Sequence, residues 1–489
     1  MAPGRVAFPQ PLRLLCQTLI AGAFIVIVIQ TAYVLHTTSP YFNWEKPTHP
    51  PPNGRPPKPQ RLPPSSKWNE SEFTPNCESF PAAAFAEDGI QVTLKVGGAE
   101  SRELLRSHIE GVTRCIPNIF VVSDMQQQIG PFITHDLLAD VVHVLSEEDK
   151  AAYQRQREDY YYWNQKLEPS KAGWNLDRYK FLSMVEYAYA QNPNAKWYVF
   201  TETDTLVIWQ NLVQLLDRYK WIDPVYLGSP TPGRQLGTWL EPQPTFFVYG
   251  GSGIVLSVTA IEHLLQDDGE ASVEAESDQQ SQLLITKFQG MVREDCCGDS
   301  VLGWVAAQRD VEIKGLWPMF NPHPLHSTPF GKAYWCQPAV SFHKSAPVDM
   351  VKLWDWQQKR LGNGIDPGLI LYSDIVDFFD FDSVPVRQDW NNADMDAFDA
   401  PTPEAHDSFD SCKEACHNHD DCFQFTHYRK KCRMARVIRL GNPVLTDEEE
   451  GAEAERSLAG WNVEKINDFK ETHDCKEVDW PEPSTERIF

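Results

Sequence analysis

Trp197-Tyr-Val-Phe-Thr-Glu-Thr-Asp-Thr-Leu-Val-Ile208 is the stretch of sequence that joins an apolar strand to two acidic residues. Its first four residues predict a buried strand, because a short aromatic and β-branched run is typical of one. Glu202 and Asp204 follow two positions apart, and side chains at that spacing in an extended chain point to the same side. Carboxylate oxygens suit Mg²⁺ or Mn²⁺, which bridge the phosphates of a nucleotide. An isolated Glu-x-Asp is more often a solvated turn, but the preceding strand favours a cation site.

Strands alternate with helical stretches around this segment. Strands are predicted at Ile90–Val96, Ile119–Val122 and Trp197–Phe200, a further short apolar run at Val141–Leu145, and helices at Glu100–Val112 and Asp177–Ala190. This alternation predicts an α/β domain with a largely parallel sheet. Ligands of such sheets lie beyond the carboxyl ends of the strands, so the loops after Val122 and Phe200 form the candidate site.

The composition excludes two classes of protein. The 489 residues are 42% hydrophobic, which is enough for a core and rules out a wholly disordered chain. Lys and Arg number 44 against 68 Asp and Glu, for a net charge of −24. Nonspecific nucleic-acid binding depends on Lys and Arg neutralising phosphates, so no nucleic-acid partner is expected.

Residues 14–35 carry no charge, and this length spans the hydrocarbon of a bilayer, so they predict a transmembrane anchor. The alternative is a cleavable signal peptide, whose apolar core should be shorter. Arg5 and Arg13 precede the span and favour a cytosolic N-terminus with the bulk of the chain in the lumen. The remaining segments are predicted by composition: 1–13 a cytosolic tail, 36–75 a Pro-rich stem, 76–379 the main domain, 380–410 an irregular acidic linker and 411–480 a cysteine-rich module.

Cysteine usage agrees with a lumenal location. Of 11 Cys, Cys16 lies in the predicted span and ten lie beyond it, an even number suited to disulfides. Zinc is the alternative, but no Cys-x-x-Cys pair occurs. Asn69-Glu-Ser71 adds a sequon for N-glycosylation.

Four segments in order along the chain carry a family resemblance: Thr201-Glu-Thr-Asp-Thr-Leu-Val-Ile208, Tyr249-Gly-Gly-Ser-Gly-Ile-Val-Leu-Ser257, Glu294-Asp-Cys-Cys-Gly-Asp-Ser-Val-Leu-Gly303 and Ala339-Val-Ser-Phe-His343. They resemble the Asp-Asp-Asp-Thr-Tyr-Val, Gly-Gly-Ala-Gly-Tyr-Val-Leu-Ser, Asp-x-x-x-Gly and Ala-Val-Ser-Phe-His motifs of glycosyltransferase family 31. This family of β-1,3-glycosyltransferases includes the core 1 galactosyltransferases and the Fringe proteins. Fungal members with a type II anchor and a C-terminal PAN module are the most similar.

The resemblance implies a GT-A (Rossmann-like) fold and roles for individual residues. Asp204 and His343 stand where the family binds Mn²⁺. Glu202 replaces the family's first Asp, and Thr203 replaces the second. Asp299 stands at the position of the general base, although an Asp before a helix at residues 300–308 is also a typical N-cap, and Asp295 is the rival base.

The same resemblance implies a UDP-sugar donor, whose diphosphate and nucleoside need local cations and polar groups. The candidates are Arg102, Arg106, Asp124, Arg178 and Lys180, and the register leaves Arg178 and Lys180 as alternatives for one role.

The cluster Cys412, Cys416, Cys422 and Cys432 resembles a PAN/Apple module. This resemblance implies the pairs Cys412–Cys432 and Cys416–Cys422 and a role in binding carbohydrate or protein. Elsewhere, Cys77 with Cys115, and Cys336 with Cys296 or Cys297, are hypotheses.

Together these features predict a Golgi-type, single-pass type II membrane protein that acts as a UDP-sugar-dependent hexosyltransferase. It would use Mn²⁺ or another divalent cation and transfer sugar to a glycan or glycoprotein hydroxyl with inversion, in a β-1,3 linkage as a galactosyltransferase does. The alternative is a noncatalytic lumenal chaperone or carbohydrate-binding protein on the same fold, which the replacement at Thr203 admits.

Overall fold

The computed structural model describes Cys77 and residues 80–487, apart from 101, 131, 164–165, 239–240, 267–282, 363–367, 395 and 445–455. The predicted membrane span, the stem and the sequon at Asn69 lie outside the described residues. Among the described helices, none combines the length and the apolar character that crossing a bilayer requires.

The strands are β1 Ile90–Lys95, β2 Ile119–Ser123, β3 Gln128–Ile129, β4 Phe132–Ile133, β5 His135–Asp136, β6 Trp197–Glu202, β7 Leu206–Val207, β8 Tyr226–Gly228, β9 Pro230–Pro232, β10 Leu236–Thr238, β11 Glu241–Gln243, β12 Phe246–Val248, β13 Ile254–Ser257, β14 Ile313–Gly315, β15 Phe320–Asn321, β16 Ser341–Phe342, β17 Val386–Gln388, β18 Trp390–Asn391, β19 Ala397–Asp399, β20 Gln424–Tyr428, β21 Lys431–Ala435, β22 Asn442–Pro443 and β23 Leu458–Trp461. The α-helices are α1 Arg102–Ser107, α2 Leu137–Asp140, α3 Glu147–Tyr161, α4 Lys171–Leu176, α5 Lys180–Gln191, α6 Trp209–Leu216, α7 Val258–Leu265, α8 Leu284–Lys287, α9 Gln289–Glu294, α10 Gly298–Gln308, α11 Pro347–Gly362, α12 Tyr372–Phe378, α13 Phe409–His417 and α14 Val463–Thr472. A π-helical turn, His108–Val112, follows α1, and short 3₁₀ helices include Val142–Val144, Asp177–Tyr179 and Gly250–Ser252.

A central sheet with the strand order β14-β8-β13-β6-β1-β2-β5 forms the middle layer. The strands β6, β1, β2 and β5 run parallel to one another, so the predicted α/β fold with a parallel sheet is confirmed. The strand β13 runs antiparallel to β6 and β8, which the alternation of elements along the chain did not indicate. The apolar run Val141–Leu145 forms a 3₁₀ helix instead of a strand.

The central sheet is covered on both faces, and its inner strand β1 is buried at all six positions. Trp197 and Val199 pack into one hydrophobic cluster with α6, α11 and α12, whereas Tyr198 and Phe200 pack into another with α5, α7 and α10. Successive side chains of a strand point to opposite faces. The result is a layered α/β/α arrangement in which β6 delivers its carboxyl end to an open edge.

A small sheet beside this edge brings two distant parts of the chain together. The strand β16 pairs antiparallel with β7, with Phe342 opposite Leu206 and Ser341 opposite Val207. The backbone N–H of Ser345 also donates to the carbonyl of Asp204 at 2.8 Å. This register fixes the residues that follow β16 next to the residues that precede β7.

The C-terminal part forms a five-stranded sheet, β17-β23-β20-β21-β19, with α13 packed against it. The disulfides Cys412–Cys432 and Cys416–Cys422 are both present, as the resemblance implied.

The segment 380–410 is not the irregular linker that its composition predicts, because it supplies two strands of this sheet. The strand β17 pairs with β23, and β19 pairs with β21. Each spans three residues, too short for alternation to be read in the sequence.

This C-terminal sheet and the main domain share one core. Ile438, Trp461 and Ile466 pack in the same hydrophobic cluster as the residues of α6, α11 and α12. The predicted disulfide Cys77–Cys115 is confirmed.

The predicted pairing of Cys336 with Cys296 or Cys297 is wrong. Cys336 pairs with Cys475, 139 positions later, and Cys296 pairs with its neighbour Cys297. This pairing forms because the segment that contains Cys475 folds back against the main domain. Cysteine spacing in the sequence does not indicate that the chain folds back in this way.

Candidate active site

A cavity of about 240 Å³ opens beyond the carboxyl ends of β1, β2 and β6. It lies where parallel sheets bind their ligands, as the sequence predicts. Its lining includes Asp124, Lys180, Glu202 and Asp204 from the predicted site, together with Trp174, which is largely exposed at α4. The lining residues therefore come from five separate stretches of the main domain.

Glu202, Asp204 and His343 form a cluster at one side of this cavity. The Oδ1 of Asp204 lies 3.5 Å from the Nε2 of His343, and one ligand atom from each residue lies within 4.8 Å of the other two. The pairing of β7 with β16 produces this proximity. Two carboxylates and an imidazole are a donor set that suits Mn²⁺, so the residues present fit a divalent cation.

The electrostatics of the cluster favour a bound cation. Burial raises the pKa of Asp204 to about 7, and the charges of Glu202 and Glu100 act in the same direction. Burial lowers the pKa of His343, which keeps its imidazole neutral and able to donate a lone pair. The negative charge concentrated here is disfavoured until a positive charge joins it.

Two buried lysines link the acidic residues of the cavity into a chain of ion pairs. The Nζ of Lys95 lies 2.5 Å from Asp177 and 3.1 Å from Glu202. The Nζ of Lys180 lies 2.8 Å from Asp124 and 3.2 Å from Asp177. Each lysine is thereby held by two carboxylates.

The sequence analysis did not select Lys95 or Asp177. The available signal was the charge at the end of Ile90-Gln-Val-Thr-Leu-Lys95, a strand that is buried at all six positions. A fully buried lysine is rare unless it is paired, so its place at a strand end next to the candidate loops could have identified it.

Asp124 is anchored on the far side of the cavity from His343. Its Oδ1 accepts a hydrogen bond from the Gly98 N–H at 2.9 Å, and its Oδ2 accepts one from the Nε2 of Gln156 at 2.5 Å. Burial alone would raise its pKa, but the ammonium of Lys180 holds the pKa of Asp124 below its usual range. Asp124 is therefore an ionised side chain that shapes the loop after β1.

Asp299 lies in the first turn of α10 and faces the glycine-rich segment that precedes β13. Its Oδ2 accepts from the Gly250 N–H at 2.8 Å, and its Oδ1 accepts from the Ser300 N–H at 2.9 Å. Burial raises the pKa of Asp299 to about 6, although these N–H donors lower it. The helix begins at Gly298 with Cys297 as N-cap, so the N-cap interpretation of Asp299 is wrong.

The Gly250-Gly251 segment separates Asp299 from the His343 cluster. A Cβ on Gly251 would lie 2.4 Å from the Nε2 of His343, so only glycine fits against the imidazole. The Oγ1 of Thr205 donates to the Gly251 carbonyl at 2.6 Å and ties this segment to the Asp204 loop. The carboxylate of Asp299 and the cation-binding cluster thus lie on either side of two small residues.

Asp295 and Arg178 belong to a different network. The Oδ2 of Asp295 pairs with Arg234 at 3.3 Å and accepts from the Ser300 hydroxyl at 3.3 Å. The guanidinium of Arg178 pairs with Asp149 at 3.0 Å and donates to the carbonyl of Asp295. At the position where the register left two alternatives, Lys180 lines the cavity, whereas Arg178 holds the loop before α10.

Arg102 and Arg106 lie on α1 with exposed side chains and are not among the residues that line this cavity. The Nε of Arg106 pairs with Glu110 at 2.8 Å, one helical turn away. The structure therefore does not bring these two arginines to the cavity with the other candidates.

The fold and the cavity define an α/β protein with a candidate ligand site at the carboxyl edge of a parallel sheet. Within that class, residues 155–312, about a third of the chain, match a family model described as Fringe-like. This part of the chain is therefore similar to Fringe-like proteins, which are glycosyltransferases. The matched region includes Glu202, Asp204 and Asp299, whereas Lys95 and His343 lie outside it. A search of curated proteins finds no match to the chain.

Proposed function

We propose that this protein is a divalent-cation-dependent inverting glycosyltransferase that moves a hexose from a UDP-sugar to a hydroxyl of a glycan or glycoprotein, in a β-1,3 linkage. The observation that carries the proposal is the proximity of Asp204, which lines the cavity, to His343, with Asp299 on the other side of the Gly250-Gly251 segment. Asp204 and His343 would bind the cation, and Asp299, close to them, would accept the proton.

The charges that line the cavity support the requirement for a cation. They comprise five acidic residues and two lysines, and both lysines are already paired with carboxylates. A nucleotide diphosphate would meet net negative charge in this cavity. Asp204 and His343, with Glu202 beside them, would hold a Mn²⁺ ion, which neutralises charge that develops on the leaving diphosphate.

The surroundings of Asp299 suit a general base. A pKa of about 6 leaves the carboxylate mostly ionised near neutral pH yet more basic than an exposed Asp. The Gly250 and Ser300 N–H groups fix its orientation. Asp299 would take the proton of the acceptor hydroxyl as that oxygen bonds to C1 of the sugar and the bond from C1 to the diphosphate breaks.

A second candidate is a noncatalytic chaperone or carbohydrate-binding protein on the same fold. The observation that favours it is the separate five-stranded sheet, whose paired disulfides Cys412–Cys432 and Cys416–Cys422 suit a PAN/Apple-like binding module. We also propose a type II membrane location in the Golgi, which rests on the apolar stretch 14–35 and on lumenal disulfides.

The decisive experiment measures release of UDP from UDP-galactose, UDP-glucose, UDP-N-acetylglucosamine and UDP-N-acetylgalactosamine, with and without Mn²⁺. We expect Asp204→Asn to abolish cation-dependent release. Asp217→Asn, at an exposed helix end, is the matched control and should leave it unchanged.

A second pair of variants tests the base. Asp299→Asn should retain binding of UDP and lower transfer by about 10²–10⁴-fold. Asp295→Asn should affect transfer less, because this carboxylate is engaged with Arg234. Full activity of the Asp204 variant would remove the proposed cation site, and absence of UDP release with every donor would favour the noncatalytic candidate.

A further inference from the structure

The C-terminal segment after α14 returns to the main domain and runs along it. The disulfide Cys336–Cys475 fixes its beginning. Further along, the backbone N–H of Ser484 donates to the carbonyl of Gly315, the last residue of β14, at 2.8 Å. These contacts determine where the next residues lie, and they carry Arg487 to the edge of the central sheet.

Arg487 is held in place by neutral oxygen atoms. Its Nε donates to the carbonyl of Pro230 at 2.6 Å, and its Nη2 donates to the hydroxyl of Thr231. Both acceptors belong to β9. The guanidinium is half-buried, and burial lowers its pKa.

The strand β9 leads directly to the candidate active site. It pairs with β12, with Pro230 opposite Val248, and Tyr249 follows Val248. The ring of Tyr249 packs edge-on against the imidazole of His343, with ring centres 5.3 Å apart. Tyr249 also precedes Gly250, whose N–H holds the carboxylate of Asp299. Arg487 is therefore linked through β9, β12 and Tyr249 to both His343 and the Gly250 segment that holds Asp299.

The charge of Arg487 has no carboxylate partner among the described residues. This is unusual in a chain with 68 acidic and 44 basic residues, because partly desolvated cations are normally paired. Two further basic residues follow the paired strands β15 and β16. His323 and Lys344 each lie two positions after the paired residues Asn321 and Phe342, and Lys344 is exposed directly after His343. Burial lowers the pKa of His323, and the charges of Arg487 and Lys344 act in the same direction.

We propose that Arg487 and Lys344, with His323 beside them, bind an anionic group of the acceptor: a carboxylate, sulfate or phosphate. The proposal rests on the proposed transferase function and adds a substrate class to it. Repulsion among neighbouring cations disfavours the empty site, and an anion relieves it. A guanidinium also presents donors in a planar arrangement that matches carboxylate, sulfate and phosphate oxygens.

The test compares matched neutral and anionic sugars with the full chain at low ionic strength. Binding of methyl β-D-glucuronide and methyl β-D-glucoside is measured by NMR titration. Galactose 6-sulfate and galactose 6-phosphate, compared with galactose, distinguish the type of anion. We expect the wild-type protein to bind at least one anionic sugar about tenfold more tightly than its neutral counterpart, with a preference that weakens as salt is added.

Arg487→Gln and Lys344→Gln should each reduce the preference, whereas Arg487→Lys should retain part of it. Arg218→Gln is the matched control, because Arg218 follows α6 and packs on the ring of Trp480, so its loss removes a cation that contacts the same C-terminal segment at a different residue. We expect this control to keep the preference.

Equal binding of every matched pair by the wild-type protein would overturn the proposal. Equal loss in the Arg218 and Arg487 variants would also overturn it, since Arg487 would then only anchor the segment. The UDP-release assay is independent of these outcomes. A preference for anionic sugars without UDP release refutes the transferase function and leaves the anion site standing, and release without the preference refutes the anion site alone.

Discussion

The buried ammonium of Lys95 is expected to be a principal support of the cavity, and Lys95→Met tests this directly. Methionine keeps the length of the side chain and removes its charge. Although burial disfavours the charged form, the carboxylates of Asp177 and Glu202 raise the pKa of Lys95 above its usual range. The substitution therefore leaves two carboxylates without their shared cation.

The size of the effect follows from the contacts of the two carboxylates. Removing one partner of a buried ion pair costs about 3–5 kcal/mol. Asp177 retains Lys180 at 3.2 Å, so we count this penalty once and expect a loss of about 4 kcal/mol. At roughly 1 °C per kcal/mol for a folded chain of this size, thermal unfolding followed by tryptophan fluorescence should begin about 4–5 °C lower.

The pH dependence of the difference has a definite sign. In the wild-type protein Lys95 holds the pKa of Asp177 at about 2, so the stability that this pair contributes is present at neutral pH and persists to pH 4. In the variant Asp177 loses one of its two ammonium partners, so we expect the pKa of Asp177 to rise and its carboxyl to take up a proton at a higher pH. The difference in the free energy of unfolding between the wild-type protein and Lys95→Met should therefore become smaller toward pH 4.

Lys196→Met is the matched control. The Nζ of Lys196 lies 3.1 Å from Asp88, but both side chains are exposed, and such surface pairs contribute little to stability. The reasoning is refuted if Lys95→Met destabilises the protein no more than this control, or if its effect grows on acidification.

Three further predictions concern the cluster around the proposed cation. Gly251→Ala should weaken Mn²⁺ binding by calorimetry, because the added Cβ meets the His343 ring, whereas Gly290→Ala, with open space around it, should leave binding intact. Mn²⁺ affinity should fall as the pH drops through about 7, where the Asp204 carboxyl takes up a proton, and should level off above pH 8; a flat profile would contradict this. Thr205→Val should cost about 1–3 kcal/mol in denaturant unfolding by leaving a buried carbonyl without its donor, and Thr205→Ser should recover most of it.

The sequence was informative where structure is local. The strands of Ile90–Val96 and Trp197–Phe200 are buried on both faces, so their apolar character is visible without any partner. The proximity of Asp204 and His343, 139 positions apart, was accessible only through family resemblance, because it depends on the pairing of two two-residue strands. No periodic pattern can be read at that length.

The remaining features depend on tertiary contacts between distant segments. The choice between Arg178 and Lys180 depends on which side of the turn from Asp177–Tyr179 into α5 meets the cavity, and helical positions two apart point about 200° away from each other. The partner of Cys336 and the position of Arg487 both follow from the path of the chain after α14. Contacts between segments that are far apart in the sequence cannot be inferred from composition or residue spacing.

The shared core has a consequence for how this gene can change. Phe381 stacks on Trp461 with ring centres 4.9 Å apart, and Phe330 bridges to Ile438, so aromatic and aliphatic residues from both regions interlock. Recombination that replaced the last hundred or so residues by an unrelated domain would expose to water the apolar residues of the main domain that now pack against them. The main domain and the C-terminal sheet are therefore expected to be inherited as one unit. A substitution on one side of their shared hydrophobic core would favour a compensating substitution on the other side.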